Sequence, residues 1–262
     1  MPNLNKIISD KKKEIALRKK QASETQLKNF HYYTCPCRSV VEAFEQQPKN
    51  IIVEIKPKST NKADKPKEIN FKKKVLSYEK AGATAVSICT HQKTNNNKLV
   101  YLQEAKQVLS IPVIQKDLIF ESYQVHEAKA YGADCIRLIA KFLSISEIQQ
   151  LSTLAQNLGM EVLVEVHAAE ELVKTNFTSI NLIGVNNQNS ETAEINNNNS
   201  LEIAGQIPPE FVKISENNIY QKDQIDQFYN FGFEGFTIAN NLLHTEYILE
   251  IVKNLSNKTD HN

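Results

Sequence analysis

The sequence predicts a closed α/β barrel, a (β/α)8 TIM barrel with an N-terminal helical extension, and three observations predict it. Eight short runs rich in Val and Ile recur at a spacing of about 20–30 residues, each followed by a stretch of helical period. Several of those stretches close on a glycine where a helix C-cap belongs, at Gly82, Gly132 and Gly159. The length, 262 residues, suits a single barrel of this kind, which commonly runs to about 250. A doubly wound open sheet is the alternative, but a count of eight favours closure. One domain is expected over 1–262, with 1–49 as the extension and 50–255 as the barrel.

Residues 3–27 read as a Lys-rich amphipathic helix with Ile7, Ile8, Ile15 and Leu17 as its apolar positions. Its KKKEIALRKK block is expected to be a solvated face rather than a site for anionic membrane or RNA. The strand runs follow as IIVEIK (51–56), TAVSICT (84–90), IPVIQKD (111–117) and ADCIRLI (133–139), then EVLVEV (161–166), NLIGVN (181–186), FVKIS (211–215) and GFTIA (235–239). FKKKVLSYEKAG, SYQVHEAKAYGA and ISEIQQLSTLAQNLGM supply helical patterns between them. The Asn-rich stretch 186–200 follows a strand and reads as a barrel-top loop.

Composition narrows the class. Hydrophobic residues at 41% can bury a full core, and 23% charged residues is ordinary for a globular chain. Lys+Arg 31 against Asp+Glu 30 leaves a net charge of +1, so no global field draws the chain to nucleic acid. No apolar run approaches the roughly 18 residues of a membrane span, and the first residues lack the apolar stretch of a signal peptide. A reduced, cytoplasmic protein is expected. Four cysteines (Cys35, Cys37, Cys89, Cys135) are too few for a disulfide scaffold. No Gly-rich nucleotide loop, metal-ligand motif or nucleophile elbow is present, so no cofactor and no metal are expected.

In such a barrel the chemistry sits at the carboxyl ends of the strands. Strand one ends in Glu54 and Lys56, which share a face about 6–7 Å apart. Strand three ends in Lys116, strand four holds Arg137, strand five carries Glu165 inside VLVEV, strand six ends in Asn186 and strand seven in Glu216. Charges in apolar runs are costly unless paired, and so many at one end are hard to explain by packing. An active site is expected here. His91, after strand two, could reach a ligand at the barrel top, whereas His167 reads as a loop residue. Cys89 and Cys135 read as small buried thiols.

At these residues the chain resembles the indole-3-glycerol-phosphate synthase family, nearly end to end. NLNKIISDKKKEIALRKKQ looks like the family's N-terminal helix, and VEIKPKS carries its Glu-x-Lys-x-x-Ser motif, ending at Ser59. IPVIQKDLIFESYQVHEAKAYGAD, LGMEVLVEVHAAEEL and IGVNNQN are similar to its third-, fifth- and sixth-strand segments. The family closes an indole ring by attack of an aromatic carbon on a carbonyl, with loss of carbon dioxide and water. The resemblance implies Lys116 as general acid, Glu165 as acid/base partner, Glu54 and Lys56 as the pair serving dehydration, and Asn186 and Glu216 as orienting groups. Opposing charges around Lys116 are expected to shift its pKa so that it serves as an acid near neutrality.

The departures cluster at the family's phosphate subsite. Asn217 and Asn218 stand where it has Ser-Gly, Ala239 and Asn240 where it has Gly-Ser, and Gln188 where it has Arg. A Cβ at a close-approach position obstructs an amide cradle, and the lost Arg removes a cation. HQKTNNNK, after strand two, lacks the family's aromatic and Gly pattern, and Leu118 replaces an aromatic. Arg137 replaces a leucine and either clamps a substrate carboxylate or pairs with Glu165 or Glu54. These changes point to a small-molecule indole substrate without phosphate. The expected function is therefore the cyclase of scytonemin biosynthesis, a cyanobacterial offshoot of the family, which closes an indole-bearing β-keto acid to a tricyclic ketone. Indole-3-glycerol-phosphate synthase with a divergent phosphate site is the alternative.

Overall fold

The computed structural model describes residues 4–46, 49–57, 71–91, 98–188, 196, 198–216, 222–239 and 245–256. Three helices come first: α1 (Leu4–Gln21), α2 (Glu24–Leu27) and α3 (Val40–Glu45). Strands and helices then alternate: β1 (Asn50–Ile55), α4 (Phe71–Lys80), β2 (Ala85–Cys89), α5 (Val100–Val108), β3 (Val113–Lys116), α6 (Ser122–Ala130), β4 (Cys135–Ile139), α7 (Ile145–Asn157) and β5 (Glu161–Val166). They continue as β6 (Leu182–Asn186), α8 (Asn198–Ala204), β7 (Val212–Glu216), α9 (Lys222–Asn230), β8 (Gly235–Ala239) and α10 (Thr245–Ser256).

All eight strands are parallel, and β8 pairs back onto β1 from Asn50 opposite Gly235 to Glu54 opposite Ala239. That pairing closes the barrel and excludes the open sheet. After β5 the chain makes a 3-10 segment (Ala169–Lys174) where the other units place an α-helix. Gly82, Gly132 and Gly159 have φ of 103°, 90° and 77°, as C-capping glycines should.

Strand residues alternate between two cores. The outward set, including Ile51, Val53, Val86, Ile136, Val164 and Phe236, packs under the helices. The inward set Ile52, Ala85, Ile114, Cys135, Leu163, Leu182 and Ile214 forms an apolar layer with Val40 and Phe44 of α3. α3 therefore closes the amino-terminal end. Ser39 caps it, and Glu161 of β5 accepts the Val40 N–H at 2.6 Å. Asn50 donates to the Phe44 carbonyl at 3.1 Å, and a Cβ on Gly235 would lie 2.5 Å from the Phe44 ring, so the plug requires glycine there. Among the described residues α3 thus covers the end of the barrel opposite the charged strand ends.

The extension differs from the single helix expected over 3–27. Ser23 accepts the Gln26 N–H at 3.3 Å while Gln26 accepts the Ser23 N–H at 2.7 Å, a capping box that ends one helix and starts another. Ile15 packs with Leu27, Tyr123 and Ala130, whereas Leu17 is 51% exposed and belongs to the outer face. Lys12 and Lys13 are solvated as expected, but Lys11 is not: its side chain is wholly buried.

Candidate active site

Above the apolar layer, the inward positions change from hydrocarbon to charge. Lys116 Nζ bonds Glu54 Oε2 and lies 3.3 Å from Glu216 Oε2. Arg137 bonds Glu165 through Nη1, which also lies 3.8 Å from Glu216 Oε2. Glu165 Oε1 accepts the Asn186 side-chain amide at 2.9 Å and has His167 Nε2 at 3.4 Å. On the rim, Lys56 Nζ lies 3.4 Å from Glu54 Oε1, and Cys89 Sγ donates to the same oxygen at 3.5 Å. Among the described residues the cluster holds Glu54, Glu165 and Glu216 against Lys56, Lys116 and Arg137, so its formal charges balance. All three carboxylates are buried, while Lys56 is half exposed.

The surroundings set each protonation state. Burial disfavours the Lys116 ammonium, and so does Arg137, but Glu216, Glu54 and Glu165 outweigh them and raise its pKa above that of an ordinary lysine. The expected shift toward neutrality is therefore corrected: the resting lysine is firmly charged, because its neighbours are predominantly anionic. Burial also works against Glu54 and Glu165, yet Lys116 holds the first below the usual carboxylate range and Arg137 the second. Glu216 goes the other way. Burial, with Glu165 and Glu54 adding to it, outweighs Lys116 and Arg137 and pushes its carboxyl up to about 7. Burial raises Cys89 to about 12, which leaves it a thiol.

The structure thus brings together Glu54, Lys56, Lys116, Arg137, Glu165, Asn186 and Glu216. Of the two structural fates open to Arg137, it takes the pairing with Glu165. His167 is a loop residue as expected, in the bend after β5, and its ring also reaches the cluster. The signal for it was parity, since Leu163, Glu165 and His167 continue one inward row past the end of β5. Gln188 is exposed, and its N–H donates to Asn186 Oδ1 at 2.8 Å, which fixes the amide that holds Glu165. Ser59, Asn217, Asn218 and Asn240, with most of the loop after β2, lie outside the described residues.

His91 and Leu118 belong to a second, adjacent cluster centred on Asp117, which sequence reasoning did not single out. Lys11 of α1 and the Thr90 hydroxyl each donate to Asp117 Oδ2 at 2.8 Å. The Leu118 N–H donates to Oδ1 at 2.7 Å, and His91 Nδ1 lies 3.7 Å from the same atom. His91 thus faces Asp117 rather than the Lys116 cluster. Burial alone would raise the Asp117 carboxyl, but His91, Lys11 and Thr90 outweigh it and hold it well below the usual range. Asp117 follows Lys116 directly, so the extension is anchored one residue from the proposed acid.

The family profile described as indole-3-glycerol phosphate synthase matches residues 4–255. The chain is 36% identical to the indole-3-glycerol phosphate synthase of Bacteroides thetaiotaomicron over 251 residues, 96% of each protein. It is 30% identical to that of Aliarcobacter butzleri over 258 residues, 97% of this chain and 98% of the relative. Among solved structures it resembles the tryptophan synthase α2β2 complex of Pyrococcus furiosus, with a TM-score of 0.58 at 13% identity over 79% of this chain and 96% of that one. It also resembles the N-acetylmannosamine-6-phosphate 2-epimerase of Clostridium perfringens, with a TM-score of 0.56 at 15% identity over 77% of this chain and 90% of that one. The two structural likenesses bear on the fold alone.

Proposed function

We propose a ring-closing lyase activity for this chain, which belongs to the indole-3-glycerol phosphate synthase family. The reaction is the one for which its relatives are named: an aromatic carbon attacks a carbonyl, carbon dioxide leaves, and loss of water completes an indole. The observation that carries this reading is Lys116, an ammonium held between Glu54 and Glu216 inside a barrel sealed at its other end. A carbonyl that develops negative charge on oxygen is stabilised by such a cation and can take its proton. The raised pKa of Lys116 keeps that proton in place until the attacked oxygen becomes basic enough to accept it. Lys56, half exposed on the rim, supplies a second proton when that oxygen leaves as water. Asn186 holds Glu165 in place.

The relatives named above favour the phosphorylated substrate of that reaction over the keto acid of the scytonemin cyclase. One observation favours the second reading: the family's phosphate-binding Arg, Gly and Ser positions are Gln188, Asn217, Asn218, Ala239 and Asn240 here. Product analysis after incubating the protein with each substrate separates the two. Indoleglycerol phosphate formed from the carboxyphenylamino-ketose phosphate supports the synthase. Turnover of the unphosphorylated indole-bearing β-keto acid alone would replace it with the cyclase, and turnover of neither would end both readings.

A further inference from the structure

Two buried carboxylates flank the sixth strand, Glu165 on β5 and Glu216 on β7, and the geometry gives them different work. Glu165 is fully engaged: Oε2 takes Arg137, and Oε1 takes Asn186 at 2.9 Å with His167 at 3.4 Å. Glu216 is not. Its Oε2 is shared between Lys116 at 3.3 Å and Arg137 at 3.8 Å, while its buried Oε1 has no hydrogen-bond partner among the described residues. That oxygen lies over Gly184, where a Cβ would come within 2.6 Å of it, so β6 has given up a side chain where the carboxyl sits. An unpaired, buried acceptor is costly, and a reacting proton is a reason to keep one.

We infer that Glu216, rather than Glu165, is the carboxyl group that exchanges a proton with the reacting molecule, and that Arg137 holds Glu165 as a fixed anion. The inference rests on the ring closure proposed above. In its last stage the C–O bond breaks, and the oxygen leaves as water with a proton from Lys56. The neighbouring ring carbon gives its proton to the Glu216 carboxylate, and the C–H electron pair becomes the ring double bond. Glu216 then returns that proton through solvent to the Lys56 amine, so the step neither consumes nor creates charge. The groups around Glu216 are Glu54 of the first strand with Lys56 just past its end, Cys89 beside Glu54, Lys116, Arg137, Glu165, and His167 beside Glu165. The eighth strand pairs Thr237 with it, and the sixth presents Gly184 and Asn186; these do not titrate. A carboxyl raised to about 7 in this setting is poised both to take and to return a proton at neutral pH.

Two measurements on the full chain test this. Infrared difference spectra across a pH titration, without substrate, should show two buried carboxyl groups protonating near neutrality, Glu216 and Glu127 of α6, whose pKa burial also raises to about 7. Glu216→Gln should remove one of the two bands and Glu165→Gln neither. With substrate, Glu216→Gln should lower kcat by about 10²–10⁴-fold and abolish the acid limb of the kcat–pH profile. Glu165→Gln should lose less and keep that limb, moved to lower pH because a like charge has gone. Both bands persisting in Glu216→Gln, or the larger loss falling on Glu165→Gln, would overturn the inference. Turnover of neither substrate while the Glu216 band behaves as expected would instead defeat the proposed reaction.

Discussion

Replacing Lys11 by methionine tests whether the extension is part of the catalytic framework. The substitution keeps length and apolar volume but removes the cation from a pair whose side chains are 0% and 1% exposed. Breaking a buried pair from one side typically costs about 3–5 kcal/mol, because the remaining charge stays buried. Asp117 retains Thr90, the Leu118 N–H and the neighbouring His91, so the lower end, about 3 kcal/mol, is expected. At roughly 2–4 °C per kcal/mol for a domain of this size, the melting temperature should fall by about 6–12 °C. The pH dependence has a definite sign. A carboxyl held below its unfolded value of about 3.9 stabilises the fold above that pH and loses the effect as pH falls toward its folded pKa. The gap between parent and variant should therefore stay constant from about pH 5 to 8 and narrow only in stronger acid. Denaturant unfolding at several pH values reads this directly, and kcat should fall as well, because Asp117 positions the backbone next to Lys116. A loss under about 1 kcal/mol, the size of an exposed pair, would refute the account, as would a gap already closing at pH 6.

Lys116→Ala should lower kcat by about 10²–10⁴-fold while the circular dichroism spectrum stays native, and near-normal turnover in a folded variant would remove Lys116 from the chemistry. Arg137→Leu leaves Glu165 buried without its cation and should cost about 3–5 kcal/mol in urea unfolding; it also raises Glu216 further, so the acid limb of activity should move to higher pH. If Arg137 instead clamps a substrate carboxylate, stability should change little and only carboxylate-bearing ligands should lose affinity, which ligand titration would show. Phe44→Ala should cost about 3–5 kcal/mol by unplugging the amino-terminal end of the barrel, with KM nearly unchanged because the site lies at the opposite end.

The barrel was legible because its signals are local. Each strand announces itself by apolar residues on both faces, and each C-capping glycine by its place in the chain. The charged members of the site were legible for the same reason, since Glu165 inside VLVEV and Arg137 inside CIRLI violate an otherwise apolar pattern. The features missed are those whose partners are remote. Lys11 looks like any other lysine of its block until Asp117, 106 positions away, is brought against it. Asp117 itself hid beside Lys116, because a strand-end aspartate needs no partner to be plausible. Phe44 reads as a minor helix residue until Gly235 shows where its ring goes. His167 follows a strand end and carries no pattern of its own beyond parity.

Protonation states were the least legible, because they depend on which opposing charges touch. From sequence, Glu165 and Glu216 are two similar carboxylates at the ends of the fifth and seventh strands. In the fold Arg137, together with Asn186 and His167, separates them. Arg137 bonds Glu165 and lies 3.8 Å from Glu216, so it fixes the first as an anion, while at the second burial with Glu165 and Glu54 still outweighs Lys116 and Arg137. A leucine at that position, as the family resemblance would have it, leaves three buried carboxylates facing two lysines. Both glutamates would then be pushed toward protonation, and only Asn186, His167 and Lys116 would still favour the Glu165 anion. The charge brought in on the fourth strand therefore does more than balance a buried cluster: with Asn186 and His167 it holds Glu165 as an anion and leaves Glu216 free to move a proton.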